Sequence, residues 1–296
     1  MSILSLENSL IWSWANTSKY LKKIVTEKYV RMLIIPGVRI SDDLIDFFDI
    51  ILCQNVDKLK LMKLSKKILC RSGGMHIGEK PNRFEKQISK IGGIIATNHE
   101  LGEIARKSNS NVIEIPNGTD LTKFRPLPKT KKTKKFVLGF AGNITGGGRI
   151  YKGWKYFADV RNYLYLQTDE VICNWKNQIP HKDMPEKFFA KIDCLILPSV
   201  NEGCSHIIME ALACGVPVIC TKVGYHGENL TDRKNVLFVE RDSQDIEKRV
   251  LELMNSRELR EKLSKNGRLF AEKNHNIIEI AKQYEKAIKM IRSKNG

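Results

Sequence analysis

The chain has 296 residues, of which 42% are hydrophobic and 28% charged, and its formal net charge is +17. These values predict one or two globular domains with a substantial core. No apolar run approaches the roughly 18 residues of a spanning helix, and the start, MSILSLENSLIW, lacks the pattern of a secretory signal. We therefore predict a cytoplasmic protein and leave open a peripheral contact with the inner face of the membrane.

The first segment, residues 1–128, contains five apolar runs that predict strands with short helices between them: RMLIIPG, DIILCQN, KKILCRSGG, GGIIATN and NVIEIPNG. Residues 1–135 carry 25 basic and 13 acidic side chains, a net +12 of the total +17. One interpretation is a surface for an anionic partner, namely nucleic acid, acidic polysaccharide or a membrane. The other is a compositional bias toward Lys, Asn and Ile without function.

A linker is predicted at 129–135, inside the run PLPKTKKTKK, which has no apolar periodicity. The second segment, 136–275, alternates apolar strands with amphipathic helices, which indicates a parallel sheet covered on both faces. A last helix occupies 276–296, and its return to the first domain is left open. Two doubly wound domains of this kind bind ligands at the carboxyl ends of their strands, in a cleft that the two would face.

Three loops follow strand ends in the second segment and are predicted to converge on one crevice. The first, GNITGGGRIYKG, begins at Gly142 and Asn143; its glycines would let backbone N–H groups approach an anion. It matches neither the dinucleotide fingerprint nor a P-loop. Arg149 and Lys152 would supply cations for a diphosphate. The alternative is a solvent-exposed glycine loop with two surface cations.

The second loop, VNEGCS, opens a helix that carries a carboxylate in an otherwise apolar setting. Gly203, Cys204 and Ser205 are predicted at the helix N-terminus, where N–H groups favour an anion. Glu202 lies just outside this helix. Glu210 lies two turns along it, where a carboxylate is costly unless it is paired. Either Glu210 forms a structural salt bridge, or the two carboxylates hold sugar hydroxyls at two points of one ligand. The third loop is KVGYHGE.

Seven cysteines occur without any C-x-x-C pair, several of them in apolar strand-like runs. A reduced chain is therefore favoured over a disulfide scaffold or a zinc site.

The run NEGCSHIIMEALACGVPVICTKVG resembles the E-x7-E motif of retaining glycosyltransferases of the family-4 type, which have the GT-B fold. Other runs resemble the family in the same order: VIEIPNGTDLTKFRP, FVLGFAGN followed by YKGW, and MPEKFFAKIDCLILPS. The resemblance covers about residues 91–255. It implies α/β architecture with two Rossmann-like domains that face a cleft, and a nucleotide-diphosphate sugar bound mainly by the second domain.

Specific roles follow from the resemblance. Glu202 would contact the donor sugar, Glu210 the ribose, and the loop near Ile179 the base. Lys152, with Arg149 and the N–H groups of 203–205, would bind the diphosphate. The family transfers the sugar with retention, the leaving diphosphate accepting the acceptor proton, so neither a metal nor a cofactor is expected. A UDP- or GDP-sugar is the expected donor.

The acceptor side departs from the family pattern. Asn143 stands where the family often has Arg. Asn8 and Ser9 stand where a glycine-rich loop would follow the first strand. His76 in RSGGMHIG is the candidate histidine near the donor sugar, whereas His99 is predicted to lie at the cap of the next helix. We assign to the acceptor side, as candidates, Asn8, Ser9, Trp12, His76 and Asn117. Trp12 lies in a helical pattern that also predicts a core position, a stacking platform or a membrane anchor.

The sequence thus predicts a glycosyltransferase, metal-independent, with Glu202, Lys152, Arg149 and His76 as catalytic candidates. The expected acceptor is anionic or membrane-borne, a polysaccharide or lipid precursor. One alternative is a phage-type enzyme that glycosylates a hydroxylated DNA base, which must be flipped out to be reached. Others are a sugar-nucleotide epimerase and a non-catalytic nucleotide-sugar binder. The oligomeric state is left undetermined.

Overall fold

The computed structural model describes residues 2–7, 20–23, 28–33, 39–53, 59–60, 62–72, 81–130, 132–173 and 179–294. The chain divides into two compact units: Met1–Gly118 together with Ile277–Gly296, and Thr119–Asn276. The boundary lies at Gly118, before the residue 128 predicted from sequence. The segment 129–135 lies inside the second unit, where the Thr130 N–H donates to the Ala190 carbonyl at 2.9 Å.

Among its described residues, the first unit contains a sheet of six strands, β1 to β6, in the order β2-β1-β3-β4-β5-β6, and every pairing is parallel. Their bounds are Ser2–Glu7, Lys28–Leu33, Ile50–Cys53, Ile68–Ser72, Gly93–Ala96 and Val112–Glu114. The helices are Asp42–Phe47 (α1), Pro81–Ile88 (α2), His99–Arg106 (α3) and, from the end of the chain, Ile277–Ser293. All four residues of β3 and of β5 are buried, as in a parallel sheet covered on both faces.

The second unit contains five parallel strands, β7 to β11, in the order β11-β10-β9-β7-β8. Their bounds are Phe136–Ala141, Thr168–Cys173, Cys194–Leu197, Val218–Thr221 and Leu237–Val239. The α-helices are Gly146–Tyr151 (α4), Trp154–Tyr163 (α5), His206–Ala213 (α6), Gly224–Asn229 (α7), Ser243–Asn255 (α8) and Arg257–Asn274 (α9). The helix Ile277–Ser293 of the first unit is then α10.

Both sheets share one strand order. Counted from the first strand of each unit, the order is 2-1-3-4-5, continued by a sixth strand in the first unit. The chain reverses direction across the sheet between the first and third strands, and ligands of such sheets bind outside the strand ends at this point. In the second unit the reversal lies between β7 and β9. The prediction of two doubly wound α/β domains is confirmed.

Three local predictions differ from the structure. Gly146–Tyr151 is a short helix, so the glycines from 146 onward open a helix where a glycine loop was predicted. Gly224–Asn229 is also helical, although KVGYHGE was predicted as a loop. Between β8 and β9 the alternation of strands with amphipathic helices predicts a helix, but the described residues there form a 3-10 turn, His181–Asp183, followed by a π-helical turn, Pro185–Phe189. In the first unit, β1 was not among the predicted strands, because SILSLE is only six residues long and half of its residues are polar.

Candidate functional site

The side chains of Lys152 and Glu202 meet beside the carboxyl ends of β7 and β9, where the strand order reverses. Lys152 Nζ lies 2.5 Å from Glu202 Oε1, and the Ser199 hydroxyl donates to the same oxygen at 2.8 Å. The two charged side chains are 29% and 10% exposed. A charge-assisted pair at the edge of the interior can be opened by a ligand that offers either member a better partner.

Two glycines bring the surrounding segments against the Glu202 loop. Gly153, with φ 71°, packs so closely on the Pro198 carbonyl that a Cβ would overlap it. Gly224, with φ 57°, packs in the same way on the backbone carbonyl of Glu202. Glycine is required at both positions, since the left-handed conformation and the close approach each disfavour a side chain.

Backbone hydrogen bonds fix this loop further. The Thr221 hydroxyl donates to the Ser199 carbonyl at 2.6 Å, and the Tyr225 N–H donates to the Gly203 carbonyl at 2.8 Å. The segments after β7, β9 and β10 are therefore in contact, as the sequence predicted for the three loops.

Glu210 lies on α6 with its side chain 7% exposed. His181 Nε2 is 2.6 Å from Glu210 Oε1, and Lys123 Nζ is 3.4 Å from the other ring nitrogen of His181. The carboxylate thus has the partner that its apolar helix requires. Its negative charge contributes, after burial, to raising the pKa of Cys214 to about 12. The histidine was not singled out from the sequence, because nothing in IPHKDMP marks a partner for a residue 29 positions away.

His226 is a second residue that the sequence did not single out. Its side chain is fully buried, and neither ring nitrogen has a hydrogen-bond partner within the described ranges. Burial lowers its pKa to about 4; the Glu202 charge opposes this shift and the Lys152 charge adds to it. The imidazole is therefore neutral at pH 7 and lies within the electrostatic reach of the Lys152–Glu202 pair. The only sequence signal was a histidine in a loop after a strand end.

Other predicted donor-side residues surround the same strand ends. The Gly142 N–H donates to the Cys173 carbonyl at 3.0 Å, and the exposed Asn143 accepts from the Thr145 N–H at 3.0 Å. Ile179 is half-buried and its backbone bonds to Cys173, whose pKa burial raises.

The segment before α6 lies next to Glu202. Cys204 and Ser205 are buried, and Ser205 is the N-cap residue of the helix. Gly203 belongs to the same turn and accepts the Tyr225 N–H described above. The predicted anion-binding turn therefore directly precedes an α-helix of eight residues, and Glu202 and Glu210 lie on either side of its start.

Most of the other predicted residues lie outside the described part of the chain. The backbone of Arg149 belongs to α4, and its side chain lies outside the described part of the chain. Asn117 is in the first unit, where its amide oxygen accepts from Arg71. Asn8, Ser9, Trp12 and His76 lie outside the described residues. His99 begins α3 directly after the N-cap Asn98, as predicted.

Neither a metal-ligand cluster nor a membrane-spanning helix occurs within the described ranges. No group of three or more His, Cys, Asp or Glu side chains there is arranged to hold a metal ion. No helix there is both long enough and apolar enough to cross a membrane. No disulfide joins the seven cysteines, all of which are described, and all but Cys173 are buried.

Residues 125–270 match the family model described as Glycosyl transferases group 1. The matched segment, 146 of the chain's 296 residues, is similar in sequence to a group 1 glycosyl transferase domain. An uncharacterized glycosyltransferase of Methanocaldococcus jannaschii is 30% identical over 154 residues, which are 50% of this chain and 41% of that protein. A UDP-Gal:alpha-D-GlcNAc-diphosphoundecaprenol alpha-1,3-galactosyltransferase of Escherichia coli is 28% identical over 145 residues, 37% of this chain and 36% of that protein. The chain spans about two fifths of the length of these curated relatives.

Solved structures resemble nearly the whole of this chain. Anabaena HepE in complex with UDP and glucose superposes with a TM-score of 0.78 at 13% identity, over 98% of this chain and 99% of that chain. A sucrose-phosphate synthase from Thermosynechococcus elongatus gives a TM-score of 0.76 at 12% identity, over 99% and 100%. At such identities the likeness concerns the fold, and it confirms the predicted GT-B class of two Rossmann-like domains.

Proposed function

We propose that this protein is a retaining, metal-independent glycosyltransferase that moves a sugar from a nucleotide-diphosphate sugar to an acceptor hydroxyl. The observation that carries the proposal is the Lys152–Glu202 ion pair at the strand reversal of a group 1 domain, next to the start of α6. A cation, a carboxylate and a helix N-terminus at this position match the charge pattern of a sugar diphosphate.

In this proposal each part of the sugar-nucleotide donor has a partner in the protein. Lys152 leaves Glu202 for the diphosphate, whose other oxygens accept from the backbone N–H groups of 203–205. Glu202, still held by Ser199, accepts from the sugar hydroxyls. Glu210 accepts from the ribose hydroxyls, and the backbone near Ile179, with Gly142 and Asn143, borders the base and phosphates.

The reaction breaks the bond between the anomeric carbon and the diphosphate oxygen. The acceptor oxygen bonds to the same face of the anomeric carbon, and its proton passes to the departing diphosphate oxygen. Negative charge grows on that diphosphate in the transition state, and Lys152 stabilises it there. Arg149 and His76 are proposed as additional catalytic groups from the family resemblance.

The relatives guide the proposal for substrates. UDP is bound in the Anabaena HepE structure, and the name of the E. coli relative states UDP-Gal as donor and a lipid diphosphate as acceptor. A Staphylococcus aureus relative, 30% identical over 112 residues, is named for capsular polysaccharide biosynthesis. We infer a UDP-sugar donor and a polysaccharide or lipid-linked acceptor, which the basic first segment would attract.

The test is calorimetric titration of UDP, GDP, ADP and their common sugars into the protein with EDTA present. One nucleotide is expected to bind, more tightly with one sugar attached. Glu210→Ala should weaken that nucleotide about tenfold, whereas Lys152→Ala should chiefly slow turnover, by about 100-fold or more. Lys155→Ala is the matched control, since Lys155 lies on the same stretch and pairs with Asp159 at the surface.

No binding of any nucleotide, or unchanged binding and rate in both variants, would overturn the proposal. Conversion of the donor sugar without an acceptor would favour the epimerase alternative. Binding of DNA at low salt that falls steeply with salt would favour a DNA acceptor.

A further inference from the structure

The side chain of Glu210 is held by a chain of hydrogen bonds that reaches the surface of the second unit. Helix α6 is otherwise apolar around it, with Ile208, Met209, Ala211 and Leu212 buried. His181 contacts Glu210 Oε1 at 2.6 Å, and the His181 side chain is 22% exposed. The pair therefore lies at the border of the interior, where a solute can reach it.

The third member of the chain fixes the direction of these hydrogen bonds. An ammonium group has donors only, so Lys123, 3.4 Å from His181 Nδ1, makes that nitrogen an acceptor. With Nδ1 accepting, the ring N–H is on Nε2 and points to Glu210. Each member of the chain therefore donates to the next: Lys123 donates to His181 Nδ1, and His181 Nε2 donates to Glu210.

Aromatic packing holds the imidazole in place. The Phe124 ring centroid is 5.1 Å from that of His181, and Lys123 Nζ lies 5.0 Å from the Phe124 ring centroid. The ring that donates to Glu210 is thus fixed on one side by Phe124 and at one nitrogen by Lys123. Glu210 is oriented before any ligand arrives, which lowers the cost of ordering it on binding.

We propose that His181 is a positioning residue for the nucleotide: it fixes the Glu210 carboxylate so that this group accepts hydrogen bonds from the ribose 2′- and 3′-hydroxyls. This inference rests on the proposed function, in which Glu210 binds the ribose. It adds a residue, His181, that touches the carboxylate and not the ligand, and a second, Lys123, that sets the tautomer of His181.

The experiment is a double comparison of protein and ligand by calorimetry. Wild type and His181→Phe are titrated with the nucleotide that wild type binds most tightly among UDP, GDP and ADP, and with its 2′,3′-dideoxy analogue. His181→Phe should bind the ribonucleotide about tenfold more weakly, because Glu210 loses its donor, but the dideoxy analogue less than about twofold more weakly. His181→Gln, whose amide can donate from the place of Nε2, should restore most of the loss.

If His181 had a merely structural role, His181→Phe would weaken the binding of both ligands equally, and that result would overturn the inference. Tighter binding by His181→Phe would also overturn it, because His181 would then compete with the ribose for Glu210. Lys182→Ala, an exposed change in the same turn, is the control and should bind both ligands as wild type does. Failure of wild type to bind any nucleotide would refute the proposed function itself. If wild type binds a nucleotide but His181→Phe weakens both ligands equally, only the role of His181 is refuted.

Discussion

Replacing His226 by Leu should change how the stability of the second unit depends on pH. The imidazole is buried and its pKa lies at about 4, below the ordinary value of 6.5. In the unfolded chain it takes up a proton below pH 6.5, whereas in the folded protein it stays neutral down to about pH 4. The unfolded state therefore binds more protons in this window, and wild-type stability falls as the pH drops through it.

The size of the effect follows from the two pKa values. Relative to a chain without this histidine, the free energy of unfolding of wild type should be lowered by about 1.4 kcal/mol at pH 5.5 and by about 2.5 kcal/mol at pH 4.5. At pH 7.5 it should be almost unchanged. Burial dominates the pKa shift, since the charges of Glu202 and Lys152 act in opposite directions. At pH 7.5 the leucine variant should be as stable as wild type or more stable, because two unpartnered ring nitrogens are removed.

Hydrogen exchange measured by mass spectrometry is the suitable assay, because a two-unit chain need not unfold in one step. Amides of β10, close to His226 in sequence, report the opening free energy of the second unit. The difference between wild type and His226→Leu cancels the other titrating groups. A difference that stays constant within about 0.5 kcal/mol from pH 7.5 to 4.5 would show that His226 is not buried as a neutral group.

Three further outcomes are expected. Gly224→Ala should destabilise the second unit by at least about 2 kcal/mol, because the left-handed backbone and the Glu202 carbonyl both exclude a Cβ. Urea unfolding and nucleotide titration would check this, and wild-type values in both would contradict the close packing. Burial raises the pKa values of Cys194 in β9 and Cys220 in β10, so both should resist iodoacetamide in the native protein at pH 8, while the partly exposed Cys173 reacts first. Peptide mass spectrometry gives the order of labelling, and early labelling of β9 or β10 would contradict the prediction. Asn98→Ala should cost about 1 kcal/mol in the first unit, since the Asn98 side chain accepts from the Leu101 N–H at 2.8 Å; faster exchange confined to α3 is the expected reading, and unchanged exchange there would count against the cap.

Four strands of the second unit, β7, β9, β10 and β11, could be predicted because each is a short apolar run bounded by Gly, Pro or polar residues, whereas β8 begins with three polar residues. Cys194–Leu197 and Val218–Thr221 are buried at every position, which is why their sequences show no alternation. The helix Gly224–Asn229 could not be predicted, because GYHGEN has two glycines and no apolar period. Its first turn is held by tertiary contacts, such as the Tyr225 hydrogen bond to Gly203, that a sequence does not display.

The site divides in the same way. That Lys152 and Glu202 lie close together followed from a rule of topology: loops after neighbouring strands of a parallel sheet end at the same edge. The partner of Glu210, His181, and the Lys123 contact behind it did not follow, because these two residues come from a 3-10 turn and an irregular turn whose positions no periodicity fixes. His226 was missed because burial of a histidine depends on the packing of several loops at once.

The two carboxylates of the NEGCSHIIME run have partners of different kinds, and the difference bears on their proposed roles. Glu202 is paired with a cation, which an incoming diphosphate of higher negative charge can draw away, leaving the carboxylate with Ser199 and a hydroxyl-bearing ligand. Glu210 is hydrogen-bonded to an imidazole, which a diphosphate attracts less strongly than it attracts the Lys152 ammonium. The orientation of Glu210 therefore persists when a ligand binds. A partner that must move during binding affects the charge at the reacting diphosphate and therefore the rate, whereas a partner that stays affects affinity. This is why changes at Lys152 are expected in turnover, and changes at His181 and Glu210 in nucleotide binding.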